Sequence, residues 1–195
     1  LDDTKERILS AALDVFSVKG YAASRTREIA VAAGMNEVTL FRTFGSKRNL
    51  YIAVFRRYAI TATEETILSG LVGDPHADLL TIARSIASLF VRNVKIVHMS
   101  IKDMDSFPEI NAELKRQPDA MIALVASFFR QASGGSGWHD DPERLARVFV
   151  TSLMGTVLHL KRFKTEREVY DFVAEFAEIL WRGMSAGSHQ PTTLS

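Results

Sequence analysis

Between Lys19 and Tyr58 the chain carries eight bases (Lys19, Arg25, Arg27, Arg42, Lys47, Arg48, Arg56 and Arg57) against only two acids, Glu28 and Glu37. The whole chain holds 24 Lys+Arg and 23 Asp+Glu, so everything outside that stretch is net acidic. A basic module joined to an acidic one is suited to meeting a polyanion; the plainer reading is a solvated face. Arg27, Arg42 and Lys47 have the donors and reach for phosphate oxygens or a guanine edge. Glu37 either accepts from cytosine N4 or repels phosphate and so only rejects wrong sites. Phe41 either touches a thymine methyl or packs on the sugar beside a phosphate.

Other chemistries find little support. With no Cys there is no disulfide framework, no usual zinc finger and no thiol nucleophile. His139-Asp140 is a fragment of a metal phosphohydrolase signature, but it follows a Gly/Ser loop and precedes what reads as a helix start. There is no His-Glu-x-x-His, no phosphate-cradling glycine loop and no Gly-x-Ser-x-Gly. His98 and His159 sit in otherwise apolar helical stretches, where a hydrogen-bonded core histidine is the ordinary reading. No catalytic residue, metal or cofactor is expected.

The elements that must position the basic residues are helices almost throughout. Ile8, Leu9, Ala12, Leu13, Val15 and Phe16 make one helical stripe over 4–19, stopped by Gly20. A short helix follows over 26–33, ended by Gly34, and another from an Asn36 cap to about Phe44. Ser46 caps a long helix expected to run as a connector over 46–70, up to the Gly70–Pro75 break. Helices are then predicted over 77–99, 108–116 and 119–132, with Pro108 and Pro118 in first turns. After the Ser133–Gly137 loop come helices over 142–163, with Asp141 capping Pro142, and 166–184; the tail 185–195 is expected to fray.

Two short helices around Gly34 and Asn36 have the layout of a helix-turn-helix, whose second helix enters the DNA major groove. Ala30, Ala33 and Gly34 are small where the helices cross, and Ile29, Met35, Leu40 and Phe44 can form the shared seam. The stretch Ile29-Ala30-x-x-Ala33-Gly34-Met35, then Thr39-Leu40-Phe41-x-x-Phe44-x-Ser46-Lys47-x-x-Leu50, resembles the TetR family of bacterial transcriptional regulators. Ile8-Leu9-x-Ala11-Ala12-x-x-x-Phe16-x-x-x-Gly20-Tyr21 resembles its first helix. The resemblance covers about residues 5–55 and rests elsewhere on helix number and length.

That resemblance implies an all-α homodimer: a three-helix DNA-binding domain over 1–45, then a helical ligand-binding and dimerisation domain over 46–184. It places Arg27, Glu37, Val38, Thr39, Phe41, Arg42, Thr43 and Lys47 at double-stranded DNA. Phe41 stands for a usual Tyr, Thr43 for a frequent His, and Val38 for a smaller residue. The implied function is a ligand-responsive regulator, most simply a repressor released from a palindromic operator by a small apolar or amphipathic effector. The other reading is a helical small-molecule-binding protein or enzyme with an incidental basic half.

Phe90, Val94, His98, Phe107, Met121, Val125 and Phe128 are the candidates for an effector pocket. The helices over 142–163 and 166–184 carry more apolar residues than one core needs. We therefore expect Phe149, Ser152, Leu153, Thr156, Phe172, Val173, Phe176 and Leu180 at a four-helix dimer seam. No uncharged apolar run reaches the ~20 residues of a membrane span. The charged opening Leu1-Asp2-Asp3-Thr4-Lys5-Glu6 has no secretory pattern, so a cytoplasmic location is expected. The missing initiator Met points to a short preceding piece.

Overall fold

The computed structural model describes residues 3–59, 63–103, 106–132, 141–158 and 165–186, and among them every element is a helix. These are α1 (Asp3–Ala23), α2 (Thr26–Ala32), α3 (Glu37–Phe44), α4 (Lys47–Tyr58), α5 (Glu64–Leu68), α6 (Pro75–Arg92), α7 (Val94–Lys102), α8 (Pro108–Ala132), α9 (Pro142–Leu158) and α10 (Glu166–Ala186). Packing divides them into two units. The first joins α1–α4 to α7 and the start of α8; the second joins α5, α6, α9 and α10 to α8 from Arg116 onward. The expected division at residue 45 is therefore not where packing divides the chain. The HTH-bearing unit also takes α4 and, from far along the sequence, α7.

The first unit is built around α1. Ile8, Leu9, Ala12 and Phe16 on its inner face are closed off by Ile29, Leu40, Leu50, Val54, Ile96 and Met99, all buried in one cluster. Gly20 does break the helix as expected, at φ 75 and ψ 174, but a further turn follows to Ala23. Leaving helical geometry there frees the Tyr21 N–H from its i−4 carbonyl, and both carboxylate oxygens of Asp103 accept it, at 3.0 and 2.9 Å. The Ser24 hydroxyl donates to the buried Gly20 carbonyl at 2.6 Å.

In the second unit α6 packs on α10, α9 and α5, and α10 on α9. Leu79, Ile82, Ile86, Phe129, Phe149, Leu153 and Val173 are wholly buried. Asp141 accepts from the Glu143 N–H, so the cap expected before Pro142 is present.

Four expected helices are formed differently. The connector over 46–70 is broken. Ala59 is extended at φ −52 and ψ 132, and α5 starts afresh with a reciprocal capping box, in which Thr63 and Thr66 each accept from the other's backbone N–H. That cap is worth about 1 kcal/mol and offers the chain a second start where a continuous helix was expected. The helix over 77–99 is two, reset at Asn93 (φ −111, ψ 21), whose carbonyl accepts from Ile96 and Val97 N–H. Apolar residues of α6 serve the second unit's core, and Ile96 and Met99 of α7 serve the first. The helices over 108–116 and 119–132 are one, running through Pro118. Proline normally ends a helix by removing one N–H, but here the apolar stripe Met121, Val125, Phe128 and Phe129 continues into the second unit's core. The loop 133–137, His139-Asp140 and His159 lie outside the described residues, as does the tail from 187 on.

Candidate nucleic-acid interface

The turn between α2 and α3 is closed by backbone chemistry. Gly34, at φ 67, sends its N–H to the Val31 carbonyl (3.0 Å), and Met35 sends its own to Ala30 (2.9 Å). This is the paired bonding of a helix ended by a left-handed residue. The Arg7 guanidinium of α1 donates to the Ala33 carbonyl at 2.9 Å, closing a further free acceptor. A Cβ at Gly34 would lie 2.8 Å from that guanidinium. Gly34→Ala is thus expected to cost about 1–2 kcal/mol from the left-handed backbone alone. The Arg7 bond would also be lost, and Tm should fall by about 2–4 °C per kcal/mol. Calorimetry showing an unchanged Tm would overturn this account of the turn.

Helix α3 is held at its start by Asn36, whose side chain accepts from the Thr39 N–H and hydroxyl, each at 2.8 Å. Leu40 and Phe44 are buried against α1, α2 and α4. The Glu37 carboxylate accepts from the Thr26 hydroxyl at 2.5 Å, so it ties α3 to α2. Neither sequence-based reading of Glu37 included that role. Thr43 donates to the Thr39 carbonyl at 2.8 Å. Val38, Phe41 and Arg42 are exposed on α3, and Arg27 is exposed on α2.

Lys47 opens α4 beside this helix, behind a Ser46 cap that accepts from the Asn49 N–H at 3.0 Å. Its ammonium lies 4.4 Å from the centre of the Tyr21 ring and reaches the Ala22 carbonyl at 3.5 Å. Partial burial pulls its pKa below the ordinary lysine value, and the nearby Asp103 charge opposes that shift. Lys47 is thus braced against the α1 turn rather than loose in solvent. Behind it, the Tyr51 ring stacks on Phe107 at 4.2 Å, and its hydroxyl donates to Asp103 at 3.1 Å.

The basic field is smaller than its count suggests. Lys19 is paired with Glu28 at 2.9 Å, a bond that holds the Glu28 carboxyl below its usual value. Arg57 is paired with Glu6 at 3.0 Å. Arg27 and Arg42 make no hydrogen bond or ion pair with any described residue. The sequence reading missed Arg7 and Asp103. Neither stands in a recognisable local pattern, and each works across a separation of 26 or 82 residues.

The expected pocket residues are divided between the two units. Val94, His98 and Phe107 belong to the first unit, where Phe107 is wholly buried beneath Tyr21 and Tyr51. Phe90, Met121, Val125 and Phe128 are buried in the second. The second unit does carry an open cleft of about 940 Å³, lined by Glu65, Thr66, Ser69, Arg84, Ser85, Ser88, Arg92, Tyr170 and Asp171. Of the expected seam residues, Phe149, Leu153 and Val173 are buried within the chain, so they are core and not surface. Phe149 packs on Phe129 and Phe176, with centroids 6.1 and 6.0 Å apart. Ser152, Thr156, Phe176 and Leu180 are half-buried and Phe172 is exposed. Val148 and Ile179 are exposed large apolar residues on the same two helices.

Residues 8–54 match the family model described as bacterial regulatory proteins, tetR family. Over 163 residues the chain is 27% identical to the uncharacterized HTH-type transcriptional regulator YvkB of Bacillus subtilis, covering 80% of this chain and 82% of that one. Over 97 residues it is 33% identical to the HTH-type transcriptional repressor NicS of Pseudomonas putida, covering 49% of this chain and 46% of that one. The fold is also that of AibR, solved with isovaleryl coenzyme A and operator DNA, at TM-score 0.67, 22% identity and coverage of 89% of this chain and 97% of that one. The family match lies over the helix pair and its Gly34 turn, and along most of its length the chain is similar to a transcriptional regulator, so residues 8–54 are a DNA-binding segment of the kind found in the TetR family of bacterial regulatory proteins.

Proposed function

We propose that the chain is a homodimeric repressor that leaves a palindromic operator when a small amphipathic effector binds its second unit. The observation that carries this reading is the outward face of α3, where Val38, Phe41 and Arg42 are exposed beside the braced Lys47. Arg27 adds a cation from α2. Repression is supported by the partial likeness to NicS, and effector control by the AibR complex with isovaleryl coenzyme A and operator DNA. The polar lining of the cleft on the second unit favours an effector with a polar end over a purely apolar one. An effector can act only by favouring one dimer geometry over another.

The test is selection of bound duplexes from a random pool by the full chain. Two subunits about a two-fold axis require inverted half-sites ~34–36 Å apart, or a multiple of that. An asymmetric site filled by one monomer would sink the reading. On the selected site, Arg42→Ala and Lys47→Ala are each expected to weaken binding by about 1–3 kcal/mol if they touch a base. Either should reduce the salt slope by about one unit if it touches phosphate. Arg42→Ala should leave the fold untouched, because Arg42 is exposed. Binding equal to the parent at matched salt for both variants would remove them from the interface.

A further inference from the structure

Each polar side chain of α3 other than Arg42 has a hydrogen-bond partner within the chain. Glu37 accepts from Thr26, Thr39 is held by the Asn36 cap, and Thr43 donates to the Thr39 carbonyl. Val38, at 74% exposure, Phe41, at 42%, and Arg42 are turned to solvent, as is Thr43, whose hydroxyl proton is given to its own helix. The i, i+3 and i+4 spacing of Val38, Phe41 and Arg42 places them on one side of the helix, opposite the buried Leu40 and Phe44. One side of α3 thus presents two apolar side chains and one cation together, with Val38 the more exposed of the apolar pair.

The major groove offers one apolar feature among its base edges, the C5 methyl of thymine. A valine has no donor or acceptor. Against a guanine, adenine or cytosine edge it would strip water from polar atoms and return no hydrogen bond. We propose that Val38 is a specificity-determining residue that closes on the C5 methyl of one thymine in each half-site, with Phe41 packed beside it. The proposal rests on the reading that α3 enters the major groove. It goes beyond that reading by assigning a base and the single group on it that is read.

The test uses the full chain and its selected site. Each thymine is replaced singly by deoxyuridine, which removes the methyl and keeps the pairing edge and O4. In the parent, one replacement per half-site is expected to weaken binding about fourfold, the worth of one buried methyl group. In Val38→Ala the same replacement should have little effect, and in Val38→Ile the effect should return. Parent binding that is equal on every uracil duplex would overturn the proposal while leaving DNA binding intact. A uracil effect that persists undiminished in Val38→Ala would also overturn it, because another residue would then be reading the methyl. Failure to retain any duplex from the pool would instead overturn the regulator reading, and this proposal with it.

Discussion

Replacing Ile179 by Glu is expected to give a folded monomer that has lost operator binding. Ile179 lies on α10 and is 62% exposed in the chain itself, so a carboxylate there stays solvated and the fold is kept. If α10 meets its twin about a two-fold axis, the same carboxylate is buried without a partner, at a cost of several kcal/mol. The apolar surplus that motivates this is visible on both last helices: Val148 is 49% exposed and Phe172 48%. A helix packed on one core needs a single apolar stripe. Phe176 is a poorer probe, because it is half-buried and stacked on the core residue Phe149. A monomer holds one half-site, so it should keep little more than non-specific affinity, a loss of about 10³-fold or greater. Light scattering and circular dichroism on the variant decide the matter. A folded dimer with parental affinity would place the seam elsewhere.

Asp103→Leu is expected to lower stability by about 2–3 kcal/mol, chiefly by leaving the Tyr21 N–H buried and unbonded. For a chain of this size that is a fall in Tm of about 5–10 °C. Asp103 is 7% exposed and accepts from the Tyr21 N–H and the Tyr51 hydroxyl, so removing it opens the joint between α7, α1 and α4. Tyr51→Phe should be much milder. It removes one donor, leaves Asp103 its Tyr21 bonds, and keeps the ring stacked on Phe107. The Tyr51 hydroxyl stays protonated throughout the working pH range, because burial, with help from the Asp103 charge and hydrogen bond, pushes its pKa far above the ordinary phenol value. The ordering of the two variants in urea unfolding is therefore expected to be the same at pH 6 and pH 9. If Tyr51→Phe were the more damaging, or Asp103→Leu were neutral, the carboxylate would not be the joint.

Much of the DNA-binding half was legible in the sequence because its signals are local. Asn36 and Ser46 cap the helices they were expected to cap, and Gly20 and Gly34 adopt the positive φ that ends a helix. Ile29, Leu40 and Phe44 close the seam that their spacing implied. Each of these depends on the 3.6-residue period or on the conformational freedom of glycine, and both can be read within a turn or two of chain.

What only the tertiary structure decided lies between residues far apart in sequence. Periodicity showed that α9 and α10 were apolar on broad faces, but it could not separate Phe149, Leu153 and Val173, which are buried, from Val148 and Ile179, which are not. That separation depends on which neighbour each stripe meets. It could not assign α7 to the unit of α1, because Lys95–Asp14 and Asp103–Tyr21 span 81 and 82 residues. Nor could it show that Glu37 is held by Thr26 of the neighbouring helix, while Val38, Phe41 and Arg42 are left exposed. By itself the sequence determined that a helix-turn-helix forms and where its helices begin and end, because those outcomes are set by local backbone energetics. That Glu37 is tied to Thr26 was decided by a hydrogen bond that exists only once α2 and α3 are packed.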